Sequence, residues 1–184
     1  MCTQELYNEA HRLFSYDAES GFLTRRIPAL NRHGTQHHNS KCKVGDITGS
    51  VNADGYLHVR ISGKQYRAHR IIWLMVTGSL PVKFLDHKNG NRADNRLCNL
   101  REANLSENSC NQVVGFNNKS GFKGVFYAGQ NRKKPYRVQI KLKGKQIHIG
   151  YFPTTELAHE AYYKASKELH GEFSVFERES NPFV

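Results

Sequence analysis

Acidic residues vanish from one long stretch of this chain. Between Glu107 and Glu156 there is no Asp or Glu, while Lys119, Lys123, Arg132, Lys133, Lys134, Arg137, Lys141, Lys143 and Lys145 all fall inside the gap. Such a segment cannot balance its own charge, so its expected partner is a polyanion. Over all 184 residues, 27 Lys and Arg stand against 16 Asp and Glu, a net charge of +11. Long apolar runs are missing too: no stretch approaches the roughly 18 residues that a membrane-crossing helix needs. Met1–Ala10 also lacks a basic segment followed by an apolar one, so the expectation is a cytoplasmic protein without a membrane partner. The four cysteines, Cys2, Cys42, Cys98 and Cys110, form no C-x-x-C pair, which argues against structural zinc and disulfides and leaves reduced, partly buried thiols. A hydrophobic share of 38% suits two small modules better than one large core.

What is present begins with a helical pattern over residues 4–14, where Leu6, Ala10, Leu13 and Phe14 fall on one face before a turn at 17–21. Residues 27–43 are polar and carry His33, His37 and His38 without carboxylates or cysteines at ligand spacing, which reads as an exposed loop and not a metal site. Residues 55–67 alternate as a β-hairpin turning at Ser62-Gly63, with Leu57, Val59 and Ile61 on the buried face. His69 to Val76 is dense enough in apolar residues for a buried helix, ended by Gly78 and Pro81.

The most informative stretch follows. Lys83–Asp86 reads as a strand, 88–96 as a polar loop, 97–103 as a second extended segment and 106–113 as a helix. Asp86 and His87 are adjacent, and Asn99 and Asn108 lie twelve and twenty-one residues after His87. A carboxylate and amide oxygens can hold one hard divalent cation, while an imidazole can serve as general base against a phosphodiester. Asn91, Asn95 and Asn111 read as satisfying loop backbone.

Phe84-Leu85-Asp86-His87-Lys88-Asn89-Gly90-Asn91, Asp94-Asn95, Asn99-Leu100-Arg101 and Glu107-Asn108 resemble the HNH nucleases, in the H-N-N variety found in phage and intron homing endonucleases. The resemblance implies a ββα-metal unit, DNA as substrate, and products with a 5′-phosphate and a 3′-hydroxyl. It also implies Asp86 and Asn108 as ligands of one Mg²⁺ or Mn²⁺, His87 as the base, and Asn99 as the residue that fixes the loop or orients the imidazole. His69 and Arg70 resemble a recurrent His-Arg pair and read as packed or phosphate-facing.

Beyond a linker at 115–121, strands are expected over 124–127, 136–142 and 146–152. A helix capped by Thr154 or Thr155 should run to about His170, with Leu157, Ala158, Ala161, Tyr162, Ala165 and Leu169 as its apolar stripe. Alternation along the middle strand turns Val138 and Ile140 toward the helix and leaves Arg137, Gln139 and Lys141 on the other face, joined by Gln146 and His148. Arg and Gln can read base edges in a major groove and Lys can position phosphate. Lys123 belongs to the same basic set, and Arg132, Lys133 and Lys134 in the preceding loop suit backbone contacts. Lys123-Gly124-Val125, Tyr136–Ile140, His148–Phe152, Thr155–Ala158, Ala161-Tyr162 and His170-Gly171 resemble the AP2 DNA-binding domain. Phe126, Ala128 and His148 stand where the plant domains carry further arginines and a tryptophan, and several residues are inserted after Gly129.

These readings combine into an α+β chain: a supporting portion at 1–64, a nuclease module at 65–114, the linker, an AP2-like module at 122–175 and a tail at 176–184. A single D-H…N…N set without internal repeat suggests a monomer that acts on double-stranded DNA and mainly nicks it. The competing reading is a DNA-binding regulator with a vestigial motif. An RNA binder is disfavoured, because no aromatic platform of the RNP kind is present.

Overall fold

The computed structural model describes residues 1–28, 42–110, 118–130 and 132–174. It divides into two compact units, Met1–Glu102 and Ala103–Val184. The histidines at 33, 37 and 38, Asn111 and the expected tail fall outside the described residues, as does the first part of the expected linker.

The first unit opens with α1 (Thr3–Leu13), which buries Leu6, Ala10 and Leu13. Its cap is a thiol: Glu5 N donates to Cys2 Sγ at 3.4 Å and Cys2 N donates to Glu5 Oε2 at 2.8 Å, a capping box with sulfur in place of the usual hydroxyl. β1 (Phe14–Tyr16), β2 (Leu23–Arg25) and β3 (Ile47–Thr48) form one antiparallel sheet. β4 (Ser50–Val51), β5 (Leu57–Ile61) and β6 (Lys64–Arg67) form a second, which includes the expected hairpin. α2 (Ala68–Thr77) buries six of its ten residues and stops at Gly78, whose φ of 76° few other residues adopt cheaply. Leu6, Ala10, Leu13, Phe14, Leu23, Val59, Ile61, Ile71, Ile72 and Leu74 share one core, at about 1.5–3 kcal/mol for each large side chain removed from water. After α2 come β7 (Phe84–His87), a 3₁₀ turn at Leu97–Asn99 and β8 (Leu100–Ala103), with β7 and β8 paired.

In the second unit α3 (Leu105–Cys110) precedes the sheet of β9 (Val125–Tyr127), β10 (Tyr136–Leu142) and β11 (Lys145–Phe152), in the order β11-β10-β9. α4 (Thr155–His170) follows, with Leu157 N donating to the Thr154 hydroxyl. Val125, Val138, Ile140, Ala158 and Tyr162 make its core. Gly124, at φ +70°, is required there, because a Cβ would come within 2.1 Å of Tyr162 and 2.6 Å of the Gln139 carbonyl oxygen. Strand, loop, strand and helix thus occur in the expected order within an α+β chain.

Two expectations are corrected. Cys2, Cys42 and Cys98 are exposed rather than partly buried; Cys2 is spent on capping. The apolar stripe of α4 is narrower than expected: Leu157 and Leu169 are 47% and 37% exposed, while Ser166 is buried in the row of Ala158 and Tyr162. The Ser166 hydroxyl donates to the Ser174 hydroxyl at 3.2 Å, so the chain after the helix covers that position.

Candidate active site and basic sheet face

β7 abandons the alternation of a half-buried strand, because Leu85, Asp86 and His87 are all buried. Consecutive side chains leave a strand on opposite faces, so Asp86 and His87 need separate partners.

Asp86 finds Arg101 on β8. Arg101 Nε and Nη2 both donate to Asp86 Oδ2, at 3.0 and 2.9 Å, and both side chains are buried. Removing one member of such a pair strands a buried charge and costs about 3–5 kcal/mol. His87, 3% exposed, meets the loop: its Nε2 lies 3.0 Å from Asn95 Oδ1. A carboxamide oxygen can only accept, so Nε2 carries the proton and Nδ1 the lone pair of the neutral ring. Burial lowers the His87 pKa, and the Arg92 charge acts the same way. The Asn95 hydrogen bond and the carboxylates of Asp86 and Asp94 oppose this without overcoming it. The imidazole is therefore neutral at pH 7, the form that a base needs.

Asn99 staples the loop. Its Nδ2 donates to Asn89 Oδ1 at 2.9 Å and to the Asp94 carbonyl at 2.8 Å, and its Oδ1 accepts from Asn89 N at 2.9 Å. Of the two roles implied for Asn99, the geometry gives it the loop, and Asn95 holds the imidazole. Asn91 accepts from Ala93 N, as a residue serving loop backbone does. Asp94 pairs with Arg96 at 2.6 Å, and that guanidinium lowers its pKa.

A second brace comes from far along the chain. Leu97 N donates to the Tyr16 hydroxyl at 2.9 Å, and that hydroxyl donates to the Asn95 carbonyl at 3.3 Å. Gly21, at φ +76°, leaves no room for a side chain, since a Cβ would stand 2.5 Å from Arg96 N. The β1–β2 turn therefore presses directly on the segment that carries Asn95. Sequence reasoning missed both roles; the only signal for Asn95 was its place in the Asp94-Asn95 pair.

His69 packs behind His87, with ring centroids 5.1 Å apart and edge-on at 83°. It is 2% exposed, burial pushes its pKa down to about 3, and its Nδ1 is buried without a hydrogen-bond partner. Of the two readings for His69, packed or phosphate-facing, this is the packed one. Arg70 is half-buried beside it.

Of the expected cation ligands, Asp86 lies in the first unit and Asn108 on α3 of the second. Both offer oxygen, which suits a hard dication, although Asp86 Oδ2 already receives two N–H groups from Arg101. Among the described residues no three His, Cys, Asp or Glu side chains gather as a cation site.

In the second unit β10 and β11 pair Gln139 with His148 and Lys141 with Gln146. Arg137 lies opposite Tyr151 on one side and Phe126 of β9 on the other. A bulge between Val138 and Gln139 passes over Ile149, which packs toward the helix and keeps the polar residues in phase. Arg137, Gln139, Lys141, Gln146 and His148 thus share the face away from α4. Two aromatics that sequence reasoning left out join them: the Arg137 guanidinium lies 5.7 Å from the Phe126 ring, and Arg132 reaches 5.4 Å from that of Tyr151. Lys133 and Lys134 are exposed in the loop. Lys123 instead sits close enough to His170, at the end of α4, to add to the effect of burial in lowering its pKa.

A family model described as HNH endonuclease matches residues 66–110. Protein 3.8 of Escherichia phage T7 is 32% identical over 123 residues, covering 64% of this chain and 99% of the phage protein. A protein named uncharacterized HNH endonuclease L560, of Acanthamoeba polyphaga mimivirus, is 32% identical over 109 residues, which cover 58% of this chain and 54% of that protein. The chain therefore spans about half the length of the mimivirus relative. No solved structure matches.

Proposed function

We propose that this chain is an HNH endonuclease, a reading supported by the family model that matches residues 66–110, and that it hydrolyses phosphodiester bonds of double-stranded DNA with His87 as general base. The observation that carries the proposal is the buried, neutral imidazole whose Nε2 proton is held by Asn95. With the proton on Nε2, Nδ1 is the basic nitrogen of the ring and would take a proton from the attacking water, a contribution of about 10²–10⁴-fold. Asn99 and Asn95 keep the loop and the ring in place. The family resemblance implies a divalent cation, Mg²⁺ or Mn²⁺, with Asp86 and Asn108 as its ligands; such an ion would neutralise charge at the phosphoryl and departing oxygens.

In the same reading residues 1–64 support a nuclease module at 65–114, and residues 122–175 form an AP2-like module that finds the target. The support for that module is the shared face of Arg137, Gln139, Lys141, Gln146 and His148, in a segment without acidic residues. The protein acts as a cytoplasmic monomer of the phage or intron homing type and mainly nicks, since it carries one D-H…N…N set. One observation favours the runner-up, a regulator with a vestigial site: Arg101 occupies the carboxylate oxygen that a cation would share.

Supercoiled plasmid and random-sequence duplex, incubated with Mg²⁺ and with chelator, separate the two. Nicked circles from the wild type and none from His87→Ala, at DNA affinity within a few-fold, are the expected result. Equal turnover by both proteins refutes the role of His87, and shifted but uncut DNA under every cation tried establishes the regulator.

A further inference from the structure

Tyr56 and Arg67 stand beside the candidate base without a part in the chemistry above, and Arg92 enters it only through the effect of its charge on the His87 pKa. The half-buried Tyr56 ring lies 5.3 Å from His69 and 6.0 Å from His87, centroid to centroid. The Arg67 guanidinium is 4.5 Å from the centroid of that ring and the Arg92 guanidinium 4.9 Å. Both arginines are exposed. Arg92 Nη1 is anchored to the Asp54 carbonyl oxygen at 2.7 Å. Among the described residues neither arginine is ion-paired with a carboxylate.

Two cations gathered on one ring repel each other, and an exposed cation–π contact returns only about 0.5–1 kcal/mol. An anion between them reverses that balance. Arginine's planar fork offers paired N–H donors that match phosphate oxygens. The two residues come from different places: Arg67 immediately precedes α2, two residues before His69, and Arg92 lies in the loop whose Asn95 holds His87. The fold thus brings them to the His87 side of the unit without pairing them.

We infer that Arg67 and Arg92, steadied by Tyr56, clamp one backbone phosphate of duplex DNA next to His87. The inference rests on the nuclease reading for its substrate, and it assigns to the first unit a DNA contact separate from the basic sheet face of the second.

The test uses the full chain with supercoiled plasmid for cleavage and random-sequence duplex for binding across a salt series. In Arg67→Gln/Arg92→Gln the slope of log affinity against log salt should shrink by about one to two, and single-turnover kcat/KM should fall by about 100-fold. Arg60→Gln, which removes an exposed charge from β5, should change neither. Arg67→Lys/Arg92→Lys should restore the salt slope without restoring kcat/KM, because charge returns and the fork does not. Tyr56→Leu keeps both charges and should lower kcat/KM at a nearly unchanged slope, so the clamp is also tested without removing a charge. Fluorescence-monitored unfolding confirms that each variant folds. If the wild type cuts DNA and the double glutamine variant keeps both slope and kcat/KM, the clamp is refuted and the nuclease reading stands. If the wild type cuts nothing while the double variant still loses slope, the nuclease reading fails and the clamp stands as a backbone-binding site.

Discussion

Replacing His69 by phenylalanine should make the first unit markedly less sensitive to acid. The folded His69 has a pKa of about 3 because burial disfavours its charged form, whereas the unfolded residue titrates near 6.5. The unfolded chain therefore binds a proton below pH 6.5 that the folded chain refuses. The stabilisation is complete above pH 6.5 and is lost as pH falls, by about 1.4 kcal/mol per unit, until the folded pKa is reached. At pH 4.5, two units below the unfolded value, the loss is about 3 kcal/mol. Phenylalanine keeps an aromatic edge against His87, removes the buried Nδ1 that lacks a partner, and cannot titrate. Any fixed packing cost cancels when each protein is compared with itself at two pH values. The lowered pKa values of His87 and Asp94 act in the same direction but are common to both proteins. The chain has a single tryptophan, Trp73, four residues after His69 on α2, so urea unfolding followed by its fluorescence reports on the first unit. The drop in unfolding free energy between pH 7 and 4.5 should be smaller in His69→Phe by about 3 kcal/mol. An equal drop in both proteins would show that His69 takes its proton in the folded state and would refute the reasoning.

Asn95→Ala should lower single-turnover cleavage by about 100-fold at unchanged duplex affinity, because the tautomer of His87 is no longer held, while Asn95→Asp, which keeps an acceptor but adds a charge that favours the imidazolium, should shift the rise of activity to higher pH; equal rates for wild type and Asn95→Ala would remove Asn95 from the site. Tyr16→Phe leaves Leu97 N–H and the Asn95 carbonyl without their shared partner and should cost the first unit about 1–2 kcal/mol, read by the same fluorescence; an unchanged midpoint would mean that the hairpin does not brace the loop. Gly124→Ala sets a Cβ against Tyr162 at 2.1 Å and should destabilise the second unit by more than about 2 kcal/mol, seen as early loss of amide-exchange protection in β10 while Trp73 stays native; wild-type protection would contradict the packing described.

Elements with strong local signals were legible in the sequence. β10 runs over Tyr136–Leu142 as alternation requires, and α2 and α4 end at glycines as expected. The adjacency of Asp86 and His87 and the spacing to Asn99 were also readable. What could not be read depends on contacts that sequence distance hides: the Tyr16 hydroxyl meets backbone 79 and 81 residues away. Asn95 looked like one more loop asparagine, because nothing local distinguishes an amide facing its own backbone from one facing an imidazole. Ser166 is buried against residues beyond the helix, so helical periodicity favoured Leu169 in its place. Cys2 caps α1 through sulfur, a role that residue preferences assign to Ser, Thr, Asp or Asn.

The arrangement of β7 resolves a conflict built into its sequence. Asp86 and His87 are neighbours, and a carboxylate beside an imidazole favours the charged ring, which is useless as a base. Burial alone would suppress that charge but would also leave the carboxylate without compensation. The strand separates the two by sending them to opposite faces, where Arg101 answers Asp86 with two hydrogen bonds to one oxygen and Asn95 answers His87 with an uncharged acceptor. A carboxylate in place of Asn95 would stabilise the imidazolium more than does the amide, whose hydrogen bond raises the His87 pKa without overcoming burial. The attraction of Asp86 and Asp94 for a proton on His87 thus remains smaller than the burial that opposes it. Arg101 therefore bears on the base as well as on the carboxylate: removing it would take the guanidinium from Asp86, whose burial would then favour its own protonated form, and would leave the attraction of that carboxylate for a proton on His87 without a neighbouring cation to offset it.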